Sequence, residues 1–353
     1  MLKYTYSLLL FILSVSCSSS RPEIEVACEA VDNFEYLIKW DVYPMVQGTV
    51  KIYNSSDPEN FDTKKEPIAE SPISDQAARV KINPNLHRQY FLVRFDDKYD
   101  MVTATRAPQL NYIQNFRDIG GYRNNHQKYI RWGMIYRAGS LDSMDYLSTK
   151  RLNLMGIRTL IDFRNLENFR TPPGTLHLEN VINLPLSLPC ETPLCDKIKN
   201  NELLRGDAII FMQDLNLELS EKAKSTYKSM FNQLIVEDNY PIIISGDLGK
   251  DYVGFAIALI MVALDMPKDV ILYDYLLSNT YLNKRNVSLD CHKYPVHVQE
   301  AITTLLSADE RYLSCGLEKI IRDYGSVTKY LEKELGVTQE KRNKLRQILL
   351  QSK

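Results

Sequence analysis

An excess of charge of either sign is missing from this chain. Its 43 Lys and Arg residues stand against 44 Asp and Glu, a formal net charge of −1. No long block of like charge occurs, so nothing suggests a surface that would hold nucleic acid. Past the first residues there is no long hydrophobic run either. The most apolar later stretch, Ile257 to Leu264, is ended by Asp265 and Pro267, too short to cross a bilayer as a helix. Cysteine and histidine never fall at zinc-site spacing. Cys291-His292 is a lone pair, and His87, His126, His177 and His297 are scattered. No cofactor or metal is expected, and no internal repeat is visible. What is present suffices for a globular protein: 353 residues, 44% of them hydrophobic, enough for a sizeable core and, as a first expectation, two domains.

The N-terminus reads as a targeting segment. Lys3 supplies a positive start, and Leu8 to Val15 is an apolar stretch of signal-peptide length. Ser14-Val15-Ser16-Cys17 then resembles the lipobox of bacterial lipoproteins, in which the cysteine is lipidated. On that resemblance residues 1–17 are a lipoprotein signal peptide, Cys17 the lipidation site and residues 18–22 a Ser-rich tether. The mature chain would be exported and anchored in a membrane, periplasmic or at the cell surface. Five other cysteines remain: Cys28, Cys190, Cys195, Cys291 and Cys315. Disulfides are permitted outside the cytoplasm, and Cys190 and Cys195 are spaced for one. An odd number leaves at least one thiol free or paired between chains.

From residue 23 to about 108 the pattern is all-β. Short runs of strand chemistry, Glu23–Val26, Tyr36–Trp40, Gly48–Tyr53, Ala78–Ile82 and Tyr90–Phe95, are separated by turn-rich segments such as Asn54 to Pro58. Such a series predicts a small β-sandwich, similar to a fibronectin type III or immunoglobulin-like module, with Trp40 as a candidate core residue. From 109 to 353 strands and helices alternate, predicting an α/β domain with a mostly parallel central sheet flanked by helices. Strands are expected at Met134–Arg137, Thr159–Asp162, Val181–Leu184 and Pro241–Ile244. Helices are expected at about 219–236 and 250–264, and in four segments between Pro295 and Leu350, with Gly336 stopping the third of these.

Four motifs in this second part occur in the order known from one family. Asn115-Phe116-Arg117-Asp118-Ile119-Gly120-Gly121-Tyr122, Arg131 to Gly139, Asp162-Phe163-Arg164 and Asp274 to Asn279 resemble, in turn, successive blocks of a bacterial tyrosine phosphatase family that also contains lipid phosphatases. Tyr324-Gly325-Ser326 matches its C-terminal end, so the resemblance spans about 109–350. It implies a phosphatase fold and a phosphate loop of the form His-Cys-x-x-Gly-Lys-Asp-Arg-Thr-Gly between a buried strand and a helix. There the cysteine attacks phosphorus as a thiolate, its pKa lowered by the helix N-terminus, and the arginine and backbone N–H groups hold the phosphoryl oxygens.

This chain departs from the pattern at that loop. Ile242-Ile243-Ile244 runs into Ser245-Gly246-Asp247-Leu248-Gly249-Lys250-Asp251-Tyr252-Val253-Gly254. Gly249, Lys250, Asp251 and Gly254 set the register, which puts Gly246 at the nucleophile position and Tyr252 at the arginine. Ser245 replaces the histidine and Val253 the hydroxyl residue. Three readings stay open. In the first the protein is a catalytically inactive pseudophosphatase that binds a protein, lipid or glycan. In the second it is a phosphoric-ester hydrolase with altered chemistry that uses Asp162, Asp247 and Asp251, with or without a metal, or Ser245 as nucleophile. In the third the β-module does the binding. Asp162, Arg164, Arg117 and Asp118 are pocket candidates, although Arg117, Asp118, Lys250 and Asp251 also have structural roles to fill, and Asp162 is the natural partner of Arg164 or Arg137.

Overall fold

The computed structural model describes residues 22–83, 85–110, 112–165, 175–188, 191–283, 287 and 291–352. The segment expected to direct export, with Cys17, and Cys190 lie outside the described residues. Cys28, Cys195, Cys291 and Cys315 are free thiols.

The first seven strands are β1 (Glu23–Ala30), β2 (Glu35–Tyr43), β3 (Thr49–Ser55), β4 (Ala69–Pro72), β5 (Ala77–Lys81), β6 (Tyr90–Phe95) and β7 (Tyr99–Ala104). They pair antiparallel throughout in two sheets, ordered β1-β2-β5 and β4-β3-β6-β7. Alternation decides what is buried. Ile38, Trp40 and Val42 from one sheet meet Val50, Ile52, Phe91, Val93 and Phe95 from the other in one apolar cluster. Trp40 sits in it, its indole N–H donating to the Ile73 carbonyl at 2.8 Å. The short β4 and the polar-rich β7 are additions to the strands expected from sequence.

The rest of the chain is α/β. Its strands are β8 (Arg117–Asp118), β9 (Tyr129–Ile130), β10 (Ile135–Ala138), β11 (Thr159–Asp162), β12 (Asn180–Asn183), β13 (Ile242–Ser245) and β14 (Leu350–Gln351). Five form the central sheet, ordered β12-β11-β13-β10-β8, parallel except where β8 joins antiparallel. Successive residues of these strands serve opposite faces. Ile135, Ile161, Ile242 and Ile244 enter the large core, and Tyr136, Ala138, Leu160 and Ile243 enter a smaller one. A sheet covered on both faces needs apolar residues at most strand positions, and the inner strands β10, β11 and β13, buried throughout, come nearest to this, whereas the edge strands β8 and β12 carry polar residues.

The helices are α1 (Tyr146–Leu154), α2 (Glu191–Lys199), α3 (Arg205–Lys222), α4 (Lys224–Leu234), α5 (Asp251–Ala263), α6 (Lys268–Leu276), α7 (Ser278–Tyr281), α8 (Val296–Leu305), α9 (Glu310–Tyr324), α10 (Val327–Lys333) and α11 (Gln339–Leu349). Their ends follow local chemistry. Asp145, Asp309, Ser326 and Thr338 each accept a first-turn backbone N–H as N-caps, and Gly325 closes α9 in the left-handed conformation at φ 81°. The single helix expected over 219–236 is instead two, α3 and α4, broken at Ala223, and α3 begins well upstream of that window. Helix α5 is apolar on every side and buried from Val253 to Met261, as a helix at the centre of a large core must be.

One arginine ties the β-module to the α/β unit. Arg88 is buried and donates at 2.6 Å to both the Asp118 carboxylate and the Tyr136 hydroxyl, and to the Thr105 carbonyl at 3.2 Å. Its guanidinium carbon lies 4.8 Å from the ring centre of Tyr90 and 5.2 Å from that of Tyr136, within cation–π range. Breaking a buried pair costs more than the pair contributes, because the remaining charge is stranded. Asp118 keeps backbone donors at Gly120 and Gly133, both 2.7 Å. We therefore expect Arg88→Ala to lose about 2–3 kcal/mol in denaturant unfolding, and a loss under half a kilocalorie would contradict this account of the junction.

Candidate active site

Strand β13 delivers the chain into a loop, residues 246–250, and α5 leaves it. The loop is held from beneath by a buried polar network built on the first motif. The Asn115 amide donates to the carbonyls of Gly249 at 2.8 Å and Leu248 at 3.2 Å. Arg137 donates to the Gly249 carbonyl at 2.8 Å and to Asp274 at 2.5 Å. Arg117 reaches the same Asp274 carboxylate at 3.2 Å and its carbonyl at 2.7 Å. Burial, then the neighbouring Arg137, lowers the Arg117 pKa to about 10. Both arginines hold the Asp274 carboxyl well below the usual carboxylate range, against the effect of its burial.

The two loop glycines differ. Gly249 has φ +64°, and a Cβ there would come within 2.4 Å of the Ala138 carbonyl. Gly246 carries no such constraint: a Cβ would meet only Val253 Cγ2, at 3.2 Å. Glycine at 249 is required by the backbone, and glycine at 246 is not. Gly249→Ala should cost at least about 1–2 kcal/mol from the left-handed conformation alone, with the clash added. Gly246→Ala should stay within about 1 kcal/mol of the unaltered protein. Thermal unfolding of the pair checks this, and equal losses would contradict it.

Above the loop lies a cavity of about 140 Å³, walled by Gly246 to Val253, by Phe211 and Leu215 of α3, and by Glu191 at the start of α2. The Tyr252 hydroxyl donates to the Glu191 carboxylate. Burial, then that carboxylate, pushes the phenol well above its ordinary range, so Tyr252 stays a neutral donor. Lys250 is buried and donates to Asp251 at 2.6 Å. Partial burial raises the Asp247 carboxyl; Arg164 opposes this, and Asp162, Glu191 and Asp142 add to it. The cavity rim is thus acidic, and its cation is already paired.

The other residues singled out from sequence do not line this cavity. Ser245 is buried and its Oγ donates to the Gly139 carbonyl at 2.8 Å, away from the loop. Asp162 is buried with both carboxylate oxygens bound by Arg164, at 2.8 and 3.1 Å, and Arg164 is further held by Asp142 and Ser140. Arg137, the other partner considered for Asp162, belongs to Asp274 instead. Arg117 lies under the loop, and Asp118 faces the β-module through Arg88. Both side chains are buried and engaged in these supporting bonds. Among the described residues no group of three His, Cys, Asp or Glu side chains could hold a metal ion, so Asp162, Asp247 and Asp251 are not assembled as ligands. Glu191, Phe211 and Leu215 were not legible as site residues. Only a helix start at Glu191 could have flagged the first, and nothing local flags the others.

A parallel strand, a tight glycine loop and a buried helix, braced by two arginines on one aspartate, define a phosphatase-like α/β fold. The sequence model of the tyrosine phosphatase family matches residues 108–351, about two thirds of the chain, and the chain belongs to that family. Among similar proteins, one from Cupriavidus necator with the name "Putative tyrosine-protein phosphatase" is 26% identical over 232 residues, 64% of this chain and 82% of that one. The triple specificity protein phosphatase PtpB of Mycobacterium tuberculosis is 24% identical over 271 residues, 67% of this chain and 96% of that one. Of solved structures, the core catalytic domain of the PP-IP phosphatase SIW14 from S. cerevisiae, in complex with citrate, is 12% identical, covers 62% of this chain and 94% of its own, and has a TM-score of 0.27.

Proposed function

We propose that this family member is a pseudophosphatase, a tyrosine-phosphatase scaffold that binds without turning over. The observation that carries the reading is the contrast at the loop. Gly249 keeps the turn pressed against Ala138, while position 246 has no side chain although the backbone has room for one. A thiolate is missing where the family's chemistry needs one, and Tyr252, bonded to Glu191, stands where a phosphate-binding arginine belongs. The acidic rim of Asp247, Glu191 and Asp251 repels a phosphate dianion. Hydrolysis of a phosphotyrosine peptide by the purified protein tests the reading, and no turnover is expected.

In this reading residues 1–17 direct export and Cys17 carries the lipid. Residues 23–108 form a fibronectin III- or immunoglobulin-like sandwich that presents the domain of residues 109–353 at a membrane surface, periplasmic or cell-surface. The two antiparallel sheets and their shared core support the sandwich assignment. Altered hydrolytic chemistry has no comparable support, since Ser245 points away and Asp162 is fully engaged.

A further inference from the structure

Several concavities larger than the one at the loop open elsewhere among the described residues, one of about 570 Å³ between α3 and α8. Another, about 570 Å³, opens at the junction of the β-module and the α/β unit, within the usual 300–1,000 Å³ of ligand sites. A smaller one of about 470 Å³ adjoins it, and these two are both lined by Tyr129 and Trp132. We propose that this junction cleft binds a neutral oligosaccharide. The inference does not rest on the loop being inactive.

Three features select that ligand class. First, the charges lining the larger cavity cancel: Arg94 and Arg131 against Glu59 and Asp100. Second, they are held in pairs. Arg94 meets Asp100 through two parallel bonds of 2.7 Å each, and Arg131 reaches Glu59 across the junction at 2.8 Å. A carboxylate and a guanidinium fixed in one plane leave further lone pairs and N–H groups beside each other. Vicinal hydroxyls, which donate and accept at once, match that arrangement. A charged ligand would meet a like charge beside every opposite one. Third, Phe61 and Tyr129 line the same cleft and supply apolar surface for the C–H face of a pyranose ring. The polar share of the lining disfavours an acyl chain, and a concave cleft between two modules suits a compact polyol better than the broad patch of a protein partner.

The test uses a built-in reporter. The chain has two tryptophans: Trp40 in the β-module core and Trp132 on the cleft. The purified protein is titrated with lactose, maltose, cellobiose, mannobiose and N,N′-diacetylchitobiose to millimolar concentration, following tryptophan emission and titration heat. A saturable change with at least one of them is expected. It should weaken about tenfold or more in both Tyr129→Ala and Asp100→Asn, checked for unchanged circular dichroism, and persist in Gly246→Ala. The proposal is overturned if no member of the panel gives saturable binding by either readout. It is equally overturned if binding survives both cleft variants, or if only a sulfated disaccharide run alongside binds.

Discussion

The purified protein is expected to release no phosphate from a phosphotyrosine peptide above the uncatalysed rate. The expectation follows from what the loop lacks and from what occupies the gaps. Deleting the nucleophile of a hydrolase that works through a covalent intermediate costs on the order of 10⁶-fold in kcat, and Gly246 offers no atom in its place. Ser245, the adjacent hydroxyl, is committed to the Gly139 carbonyl. Loss of the arginine partner of a desolvated phosphoryl group costs roughly 2–5 kcal/mol more. Tyr252 cannot replace it, because its hydroxyl is neutral and already donates to Glu191. Lys250, the remaining cation of the loop, is buried against Asp251. Turnover at a rate comparable with active family members would overturn the assignment, and turnover that vanished in Asp247→Asn would move the chemistry to that carboxylate.

Replacement of Asp274 should produce the largest loss of stability in the molecule, about 3–5 kcal/mol for Asp274→Asn, measured by denaturant unfolding. Arg117 and Arg137 converge on this carboxylate, all three side chains are buried, and its removal strands two adjacent guanidiniums. The loop should loosen with it, since Arg137 also holds the Gly249 carbonyl. The effect has a definite pH sign. The folded-state pKa of Asp274 lies below that of the unfolded chain, so its stabilisation is complete above the ordinary aspartate value of about 3.9 and fades as pH falls through the depressed one. The gap between native protein and variant should be constant from neutral pH down to about 5 and narrow only in more acidic solution. A cost below about 1 kcal/mol would show that the triad is not the brace described here.

The central strands were legible because a sheet buried on both faces demands unbroken apolar runs, and Ile242 to Ile244 is such a run. The β-module strands Val50/Ile52 and Val80/Ile82 were legible through alternation. Strand β7 was not, since Tyr99-Asp100-Met101-Val102-Thr103 mixes polar residues with its apolar ones and reads as a turn continuation. The loop motif located β13, the glycine turn and α5 within a residue or two. Its surroundings were hidden. Arg88 sits in a stretch, His87-Arg88-Gln89, with every appearance of solvent exposure, and its partners Asp118 and Tyr136 are 30 and 48 residues away. Glu191 meets Tyr252 from 61 residues upstream. Such pairings are products of tertiary packing and leave no local signature. The motif residues Arg117 and Asp118 were visible as chemistry, but only burial shows that one supports the loop and the other clasps the β-module.

The most direct test of an emptied but intact phosphatase scaffold is a paired turnover assay with the same phosphotyrosine peptide. One arm is the unaltered protein; the other combines Gly246→Cys, Tyr252→Arg and Glu191→Gln. The third change is needed because Glu191 would otherwise capture the restored arginine, as it now captures Tyr252. A Cβ at position 246 would meet only Val253 Cγ2, at 3.2 Å, so a cysteine there asks for a small shift of that side chain, and the helix N-terminus at Asp251 would lower the thiol pKa. The account predicts a silent protein and a variant with measurable turnover, faster than Gly246→Cys with Tyr252→Arg alone. An active unaltered protein, or a folded triple variant as silent as its parent, would contradict it.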